Sequence, residues 1–283
     1  MMAPLTLPSP AKLNRMLHIV GRREDGYHSL QTLFQFIDLC DHLTLTPRHD
    51  GQVQLTSEVD GVDHDDNLVV RAAKLLQRHS GTSLGATLSI EKQLPMGGGL
   101  GGGSSNAATT LVGLNQLWQL HLPLETLAEL GLQLGADVPV FVHGHSAWAE
   151  GIGEQLSAVT LDTPWFVLIH PGISVSTPGV FQDPQLTRDS RPITMARALQ
   201  GGASEWRNDC EAVVKERYPP IAEALDWLTQ HAPSRLTGTG ACVFAAFETQ
   251  QAAQATAYLA AERWSTWVAR GLNTSPLHDA LGG

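Results

Sequence analysis

The sequence has few cysteines and no long apolar run, and both shortages exclude classes of protein. The three cysteines, Cys40, Cys210 and Cys242, are odd in number, scattered, and form no C-x-x-C pair. This usage argues against a disulfide framework and a cysteine zinc site, and it is typical of a reducing cytoplasm. No apolar window of about eighteen residues occurs, so no transmembrane helix is expected. Residues 1–8 lack a basic start and a long apolar segment, so an ordinary signal peptide is not expected either.

Basic residues are also few compared with acidic ones. The chain has 18 lysines and arginines against 28 acidic residues, a formal net charge of −10. Such a balance disfavours nucleic acid as a partner, and an anionic substrate must be attracted by local features such as a helix start and a few lysines. With 283 residues, 42% of them hydrophobic, the chain can bury one large core or two ordinary ones. Nothing in the sequence indicates the oligomeric state.

Glycine is abundant in one stretch. Six glycines occupy a seven-residue run, which reads Gly97, Gly98, Gly99, Leu100, Gly101, Gly102 and Gly103. Composition alone would predict a flexible linker. However, residues 86–91 alternate as a half-buried strand does, and apolar residues recur at helical spacing from Ala107, with Ser104 or Ser105 predicted to supply the N-cap hydroxyl. A strand, a glycine loop and a capped helix form a cradle for phosphate, because unpaired N–H groups point at the anion.

Two familiar phosphate-loop patterns do not explain this run. Gly98 and Gly103 have the Walker A spacing, but Ser104 stands where that loop needs its lysine. The pattern G-x-G-x-x-G is met, as almost any glycine pattern would be. The dinucleotide fold also needs a continuously apolar strand beforehand, and the polar residues within 87–91 contradict it.

A third pattern fits. Residues 95–108 contain Pro-x-x-x-Gly-Leu-Gly-x-x-Ser-Ser and resemble the ATP loop of the GHMP kinases, the small-molecule kinases named for galactose, homoserine, mevalonate and phosphomevalonate. The resemblance implies ATP as co-substrate. It also implies that the whole run from Pro95 and Met96 through Ser104 and Ser105 binds the nucleotide.

The first strand carries a second motif. In residues 11–20 the alternation places Lys12 and Asn14 on one face, roughly 7 Å apart, and Arg15 interrupts the apolar face, so the strand is expected to be exposed or bulged there. Without context, Lys12 reads as a solvated lysine. Residues 10–14, Pro-Ala-Lys-Leu-Asn, resemble the opening motif of one GHMP kinase branch. This implies that Lys12 pairs with the catalytic aspartate and that Asn14 holds the acceptor polyol or its diphosphate.

A third motif follows the turn signal of Asp25 and Gly26. Tyr27 and His28 come next, and their pairing is compatible with ordinary loop packing. In the same branch, Asp-Gly-Tyr-His is the stretch that meets the substrate nucleobase, by stacking and by hydrogen bonds to the base edge.

Phe181 has the position of the aromatic residue that packs on the other side of that base. The resemblance therefore implies that Phe181 faces Tyr27, with Pro178 nearby; the alternative is a core phenylalanine.

Asp137 lies in the sequence Gly-Ala-Asp-Val-Pro. The simplest interpretation of the spacing is a cap for a short turn. The segment nevertheless resembles the family's catalytic aspartate segment, which implies that Asp137 is the base. A later strand, turn and strand in residues 234–244 resemble the third GHMP motif, although a structural hairpin would look similar. That motif implies a loop closing on the phosphate site, formed by Thr237, Gly238, Thr239 and Gly240.

Asn67 is predicted to cap a helix. Its predicted apolar side consists of Leu68, Ala72, Leu75, Leu76 and His79. By resemblance, Asn67 and Lys92 border the adenine pocket, although Lys92 is equally compatible with a plain surface lysine.

The implied fold is α+β, in the two-domain GHMP kinase architecture with the active site in the cleft between the units. Residues 1–156 form an ATP-binding unit like domain 2 of ribosomal protein S5, and residues 157–283 a ferredoxin-like, substrate-side unit. Strands are predicted at 32–39, 42–46, 52–57, 146–151, 165–170 and 264–270, and helices at 124–134, 194–200, 209–217, 221–231 and 249–262.

These motifs span nearly the whole chain in family order. They imply transfer of the γ-phosphoryl group of ATP to the 2-hydroxyl of a cytidine-diphosphate-linked methylerythritol, in non-mevalonate isoprenoid precursor synthesis. Mg²⁺ is expected by analogy, but no acidic pair indicates its ligands. Two alternatives remain: another GHMP kinase, acting on mevalonate, homoserine or a sugar, and a catalytically silent nucleotide-binding regulator. Neither nucleic acid nor a membrane is an expected partner.

Overall fold

The computed structural model describes residues 3–58, 61–202 and 206–282. Met1 and Gly283, at which the two predicted units begin and end, lie outside the described residues. The strands are β1 (Leu5–Arg22), β2 (His28–Arg48), β3 (Val53–Leu55), β4 (Gly85–Glu91), β5 (Ala147–Glu150), β6 (Gln155–Ala158), β7 (Trp165–His170), β8 (Ser234–Leu236), β9 (Val243–Phe247) and β10 (Ser265–Leu272). The helices are α1 (Leu68–Ser80), α2 (Gly102–Leu117), α3 (Leu124–Leu132), α4 (Val138–His143), α5 (Thr177–Phe181), α6 (Met195–Gly201), α7 (Glu211–Arg217), α8 (Pro219–Thr229), α9 (Gln250–Ala260) and α10 (Pro276–Ala280).

A long antiparallel hairpin, β1 with β2, forms the frame of the first unit. The sequence predicted two strands, 32–39 and 42–46, but the structure has one continuous strand there. Cys40 and Asp41 stay in register with Pro10 and Ser9 of β1, so the ladder is not interrupted between them. The prediction was wrong because a polar residue inside a long strand resembles a turn signal.

Strand β1 is bulged at the position that the sequence marked. The register of the ladder shifts between Asn14 and Met16, which confirms the predicted bulge at Arg15. The other alternative, exposure of the strand there, does not hold, because Arg15 is 1% exposed. Its guanidinium lies 5.1 Å from the ring of Phe166 and 4.8 Å from the ring of Trp206, and both of these rings come from the second half of the chain.

The core of the first unit lies between this sheet and helices α1 to α4. Helix α1 begins as predicted, since the Asn67 side chain accepts a hydrogen bond from the N–H of Val69. Its buried face was only partly predicted: Ala72 and Leu76 are buried, but His79 is exposed. The observed buried residues are Val69, Val70, Ala72, Ala73 and Leu76.

The second unit has the predicted ferredoxin-like sheet. Its four strands follow the order β10-β7-β9-β8, so that the last, first, third and second strands of the unit lie side by side. Strand β10 also pairs with β2, through Gly271 and Leu272, and this pairing joins the sheets of the two units. After β10 the chain returns to the first unit, where Leu277 of α10 is buried in the core.

No helix in the described part of the chain combines the length and the apolar character needed to cross a bilayer.

His18 of β1 makes folding sensitive to pH. It is 3% exposed, and neither ring nitrogen has a hydrogen-bond partner among the described residues. Burial, followed by the charge of Arg207, lowers the pKa of His18 although Asp209 opposes the shift. The unfolded chain therefore binds this proton at a higher pH than the folded chain. We expect the free energy of unfolding to decrease as the pH drops below the ordinary pKa of histidine. This one proton lowers it by up to about 1.4 kcal/mol per pH unit.

Urea unfolding at about pH 7.5 and about pH 5.5 measures the effect. The variant His18→Gln should lose less stability on acidification than the unmodified protein. An equal loss in both proteins would contradict this origin of the pH dependence.

Candidate active site

The glycine loop joins β4 to α2 and is held by its backbone. Gly97, Gly99 and Gly101 have φ values of 65°, 73° and 73°, a region that side chains disfavour. The carbonyl oxygens of the loop accept hydrogen bonds from the turn before β9. Ala241 N–H donates to Gly97 O at 2.9 Å, and Cys242 N–H donates to Gly98 O at 3.1 Å. The turn of the second unit therefore fixes the loop of the first.

Neither serine caps the helix that follows the loop. Helix α2 begins at Gly102 with Gly101 as its N-cap residue, and no side chain supplies a cap hydrogen bond. The predicted cap was wrong because Ser104 and Ser105 already lie within the first turn. The Ser105 hydroxyl is buried, with no hydrogen-bond partner among the described residues. The first N–H groups of α2 are thus left without a side-chain acceptor, as a phosphate site requires.

Lys12 lies beneath this loop with its ammonium surrounded by oxygens. Its Nζ is 3.2 Å from Asp137 Oδ2, 2.6 Å from Asn14 Oδ1 and 3.1 Å from Gly99 O. Only 4% of the Lys12 side chain is exposed. A buried ammonium requires such compensation, so Lys12 is not the solvated strand lysine that its spacing alone suggested.

Asp137 takes the N-cap position of α4, but its carboxylate makes no cap hydrogen bond. The simple capping interpretation is therefore insufficient. The carboxylate faces Lys12 and is 34% exposed, so it remains accessible to a ligand.

The ion pair opens into a cavity of about 840 Å³ lined by residues of both units. The predicted site residues that line it are Lys12, Asn14, Tyr27, His28, Gly99, Gly101, Ser104, Asp137, Pro178, Phe181, Gly238 and Thr239. Of the predicted turn, Thr237 lies beneath the loop, where its hydroxyl accepts a hydrogen bond from the Asn14 N–H at 3.0 Å. Gly240 N–H donates to the carbonyl of Thr237 within the turn.

Three aromatic side chains line the same cavity. Tyr27 is 60% exposed, and His28 stacks on Phe181 with ring centroids 5.2 Å apart and planes 28° apart. The sequence predicted that Phe181 faces Tyr27 across the base, and this stays a prediction: both residues line the cavity, and Phe181 also stacks on His28. Pro178 lies one turn before Phe181 in α5, a short helix that the sequence did not predict.

A second cavity of about 470 Å³ lies on the other side of the loop. The predicted residues that line it are Asn67, Lys92, Pro95, Met96, Gly97, Gly102 and Gly103. The loop therefore separates the two cavities. Of the predicted loop residues, Gly98, Leu100 and Ser105 line neither of them. Leu100 is buried and its carbonyl accepts the N–H of Lys12, and Ser105 is fully buried.

Asp41 holds two residues that line this second cavity, Lys92 and Asn106, and the sequence did not reveal it. It is fully buried and accepts hydrogen bonds from the side chains of Lys92 and Asn106 and from the N–H groups of Gln93 and Leu94. Lys92 is accordingly held in place and is not a free surface lysine. An acidic residue at the centre of a long apolar strand would have been the signal, had the strand been predicted as continuous.

Cys242 packs behind the loop. It is fully buried, and burial raises the pKa of its thiol above the ordinary range. This agrees with the prediction that Cys242 fills space and is not a nucleophile.

The contact between loop and turn requires glycine at position 99. A Cβ there would overlap the carbonyl oxygen of Thr237 at a positive φ, whereas a Cβ at Gly103 would meet Leu68 Cδ1 at 3.4 Å within a helix. We expect Gly99→Ala to lower Tm by roughly 4 °C or more. The positive φ and the overlap with the Thr237 carbonyl would cost at least about 1–2 kcal/mol, because backbone atoms cannot move aside as a flexible side chain can. The matched variant Gly103→Ala should leave Tm unchanged or higher. Thermal unfolding without ligand measures both, and an unaltered Tm for Gly99→Ala would contradict the contact.

Two family models match the chain. The model for the GHMP kinases N terminal domain matches residues 67–145, and the model for the GHMP kinases C terminal matches residues 191–265. The first match contains the glycine loop and Asp137, and the second contains the turn that holds the loop.

Similar proteins agree with these matches. A relative from Chromohalobacter salexigens, named 4-diphosphocytidyl-2-C-methyl-D-erythritol kinase, is 62% identical over 284 residues, covering 99% of this chain and 95% of the relative. A crystal structure of 4-(cytidine 5'-diphospho)-2C-methyl-D-erythritol kinase is 30% identical with a TM-score of 0.83, covering 94% of this chain and 99% of that one. A crystal structure of mevalonate kinase, 12% identical with a TM-score of 0.71, shares the fold over 95% of this chain and 99% of that one.

Proposed function

The chain belongs to the GHMP kinase family, and from that membership we propose that it transfers the γ-phosphoryl group of ATP to the 2-hydroxyl of 4-diphosphocytidyl-2-C-methyl-D-erythritol. The reaction belongs to the non-mevalonate synthesis of isoprenoid precursors. One observation carries the assignment: a single cavity contains both the Lys12–Asp137 pair and the aromatic residues Tyr27, His28 and Phe181. An acceptor without a nucleobase would not need those rings.

ATP occupies the two sides of the glycine loop in this proposal. The adenine binds in the smaller cavity, bordered by Asn67 and Lys92, and the phosphates cross the loop toward the larger cavity. The N–H groups of the loop and of the start of α2 hold the phosphate oxygens, with a hydroxyl contact from Ser104. The turn of residues 237–240 closes this site from the second unit.

The acceptor hydroxyl lies beside Asp137, which receives its proton. Lys12, 3.2 Å away, offsets the negative charge of the migrating phosphoryl group. Asn14 holds the polyol or its diphosphate. The transition state of phosphoryl transfer is loose, so the protein contributes mainly positioning and charge compensation.

Mg²⁺ fits this site only as a partner of the nucleotide. The described residues include no group of three or more acidic, histidine or cysteine side chains placed to hold a metal. Magnesium typically uses one or two protein oxygens together with substrate phosphates and water. Ser104, which lines the cavity beside the loop, is the residue that would hold it. The ion would neutralise charge on the phosphate oxygens.

We further propose that the enzyme works in the cytoplasm with small-molecule partners alone. The three cysteines are free and buried, which suits a reducing compartment.

The direct test is product analysis. Incubation of the protein with ATP and the cytidylyl acceptor should give ADP and one new phosphomonoester at the 2-hydroxyl, detected by ³¹P NMR. A panel containing mevalonate, homoserine and galactose separates the alternatives. Phosphorylation of one of these in preference would indicate another GHMP kinase, and no transfer to any acceptor would indicate a silent nucleotide binder.

Asp137 tests the chemical step. We expect Asp137→Asn to lower kcat by roughly 10²–10⁴-fold, because the hydroxyl proton loses its acceptor, with little change in ATP affinity. Steady-state kinetics and ATP titration measure the two quantities. Asp189→Asn, which removes an exposed carboxylate of the second unit, is the control. Near-normal turnover of Asp137→Asn would exclude Asp137 from the chemistry.

Tyr27 tests nucleobase binding. We expect Tyr27→Ala to raise KM for the cytidylyl acceptor through lost stacking of about 1–3 kcal/mol, roughly 5- to 150-fold, and to leave KM for ATP unaltered. Tyr258→Ala removes a tyrosine of α9 that is 76% exposed and lies outside the cavity lining, so it provides the matched control. An acceptor KM equal to that of the control would reject this role for Tyr27.

A further inference from the structure

Arg188 connects the two walls of the aromatic part of the cavity from behind. Its Nε donates to His28 Nε2 at 3.1 Å, and its Nη2 donates to Phe181 O at 2.9 Å and to Asp183 O at 2.6 Å. Its Nη1 donates to Leu186 O at 3.1 Å. His28 belongs to the first unit and Phe181 to the second, so one guanidinium links the imidazole of His28 to the backbone of Phe181.

The hydrogen bond to His28 determines where the imidazole carries its proton. A guanidinium has donors only, so His28 Nε2 must accept and therefore has no hydrogen. In a neutral ring the proton then lies on Nδ1. The ring that accepts this hydrogen bond is therefore uncharged. Burial, followed by the charges of Arg188 and Arg22, lowers the pKa of His28 and acts in the same direction.

The other charged groups around the ring do not reverse this lowering of the His28 pKa. Arg22 is the register partner of His28 on β1. In the turn between the strands, Asp25 is paired with Arg23. In the segment after α5, the Asp183 carboxylate is paired with Arg217.

We propose that Arg188 is a positioning residue for nucleobase binding: it fixes His28 as the neutral ring with its proton on Nδ1, stacked on Phe181. This inference rests on the proposed function, because it supplies the nucleobase end of that site. Arg188 is absent from the residues lining the cavity and acts through His28. The pyrimidine therefore meets a ring with a fixed hydrogen-bond donor and no charge.

The test follows the ring itself. In protein labelled with ¹⁵N-histidine, long-range ¹H–¹⁵N spectra between about pH 5 and 8 report the pKa and the tautomer of His28. The unmodified protein should show the Nδ1–H tautomer and a pKa below the ordinary value. Arg188→Ala should raise that pKa and distribute the proton over both nitrogens. Arg188→Gln keeps an N–H donor without the charge and should also raise the pKa, so it serves if the alanine variant folds poorly.

Arg191→Ala removes an exposed arginine three residues away and should leave the His28 spectrum unaltered. An unaltered tautomer and pKa in both Arg188 variants would overturn the proposal.

Kinetics provide a second readout. Arg188→Ala should raise KM for the cytidylyl acceptor about fivefold, the loss expected for one hydrogen-bonded contact, and more at low pH, where the freed ring becomes charged. The values of kcat and KM for ATP should stay within twofold of those of Arg191→Ala, roughly the scatter between neutral surface variants. A pH-independent rise shared by both substrates would indicate a merely structural role and overturn the proposal. If the unmodified protein does not phosphorylate this acceptor, the proposed function fails, while the spectra still decide the role of Arg188.

Discussion

A lysine ammonium almost withdrawn from water constrains the rest of this structure. The Lys12 side chain is only 4% exposed, and its charge is compensated by oxygens of Asn14, Gly99 and Asp137. Those oxygens come from β1, from the glycine loop and from the residue before α4. A buried charge that lost one of them would be strongly destabilising. The same contacts that stabilise Lys12 therefore hold the Asp137 carboxylate and the glycine loop at fixed positions.

The loop satisfies this constraint because it has almost no side chains. A Cβ at Gly101 would lie 2.8 Å from Phe141 Cζ and 3.1 Å from Lys12 Cε. The loop also uses its carbonyl groups to bind the turn of the second unit and Lys12, which leaves its N–H groups for a ligand. Two cavities lie on its two sides, one with the residues predicted for adenine and one with the residues predicted for the acceptor. In the proposed binding mode, a nucleotide that crosses the loop would bring its terminal phosphate to the ion pair.

Local patterns predicted the parts of the fold that depend on neighbouring residues. The half-buried β4, the cap at Asn67, the apolar β7 and the ββαβ tail all follow from periodicity or cap chemistry within a few residues. The predicted cap of α2 was wrong because the sequence does not indicate that Gly101 has a positive φ, whereas two nearby serines resemble N-cap residues. The burial of Arg15 was not predicted, because the aromatic rings that cover it lie roughly 150 and 190 residues later in the chain.

The site was predictable in a different way. The motifs carrying Lys12 and Asp137 were identified by resemblance, and their convergence is a property of the folded chain that no spacing indicates. The supporting residues were not predicted at all. Asp41 and Arg188 form hydrogen bonds with Lys92 and His28, and they occur in segments that resemble an ordinary strand and an ordinary loop.

The proposed mechanism requires Lys12 and Asp137 to act as one unit in phosphoryl transfer. The most direct measurement is a double-mutant cycle on kcat with Lys12→Met, Asp137→Asn and the combined variant. Residues that act as a unit are strongly non-additive, so the combined variant should be about as slow as the slower single variant. If the combined variant instead lost kcat by the product of the two single losses, the residues would contribute independently. That result would contradict their acting as one unit.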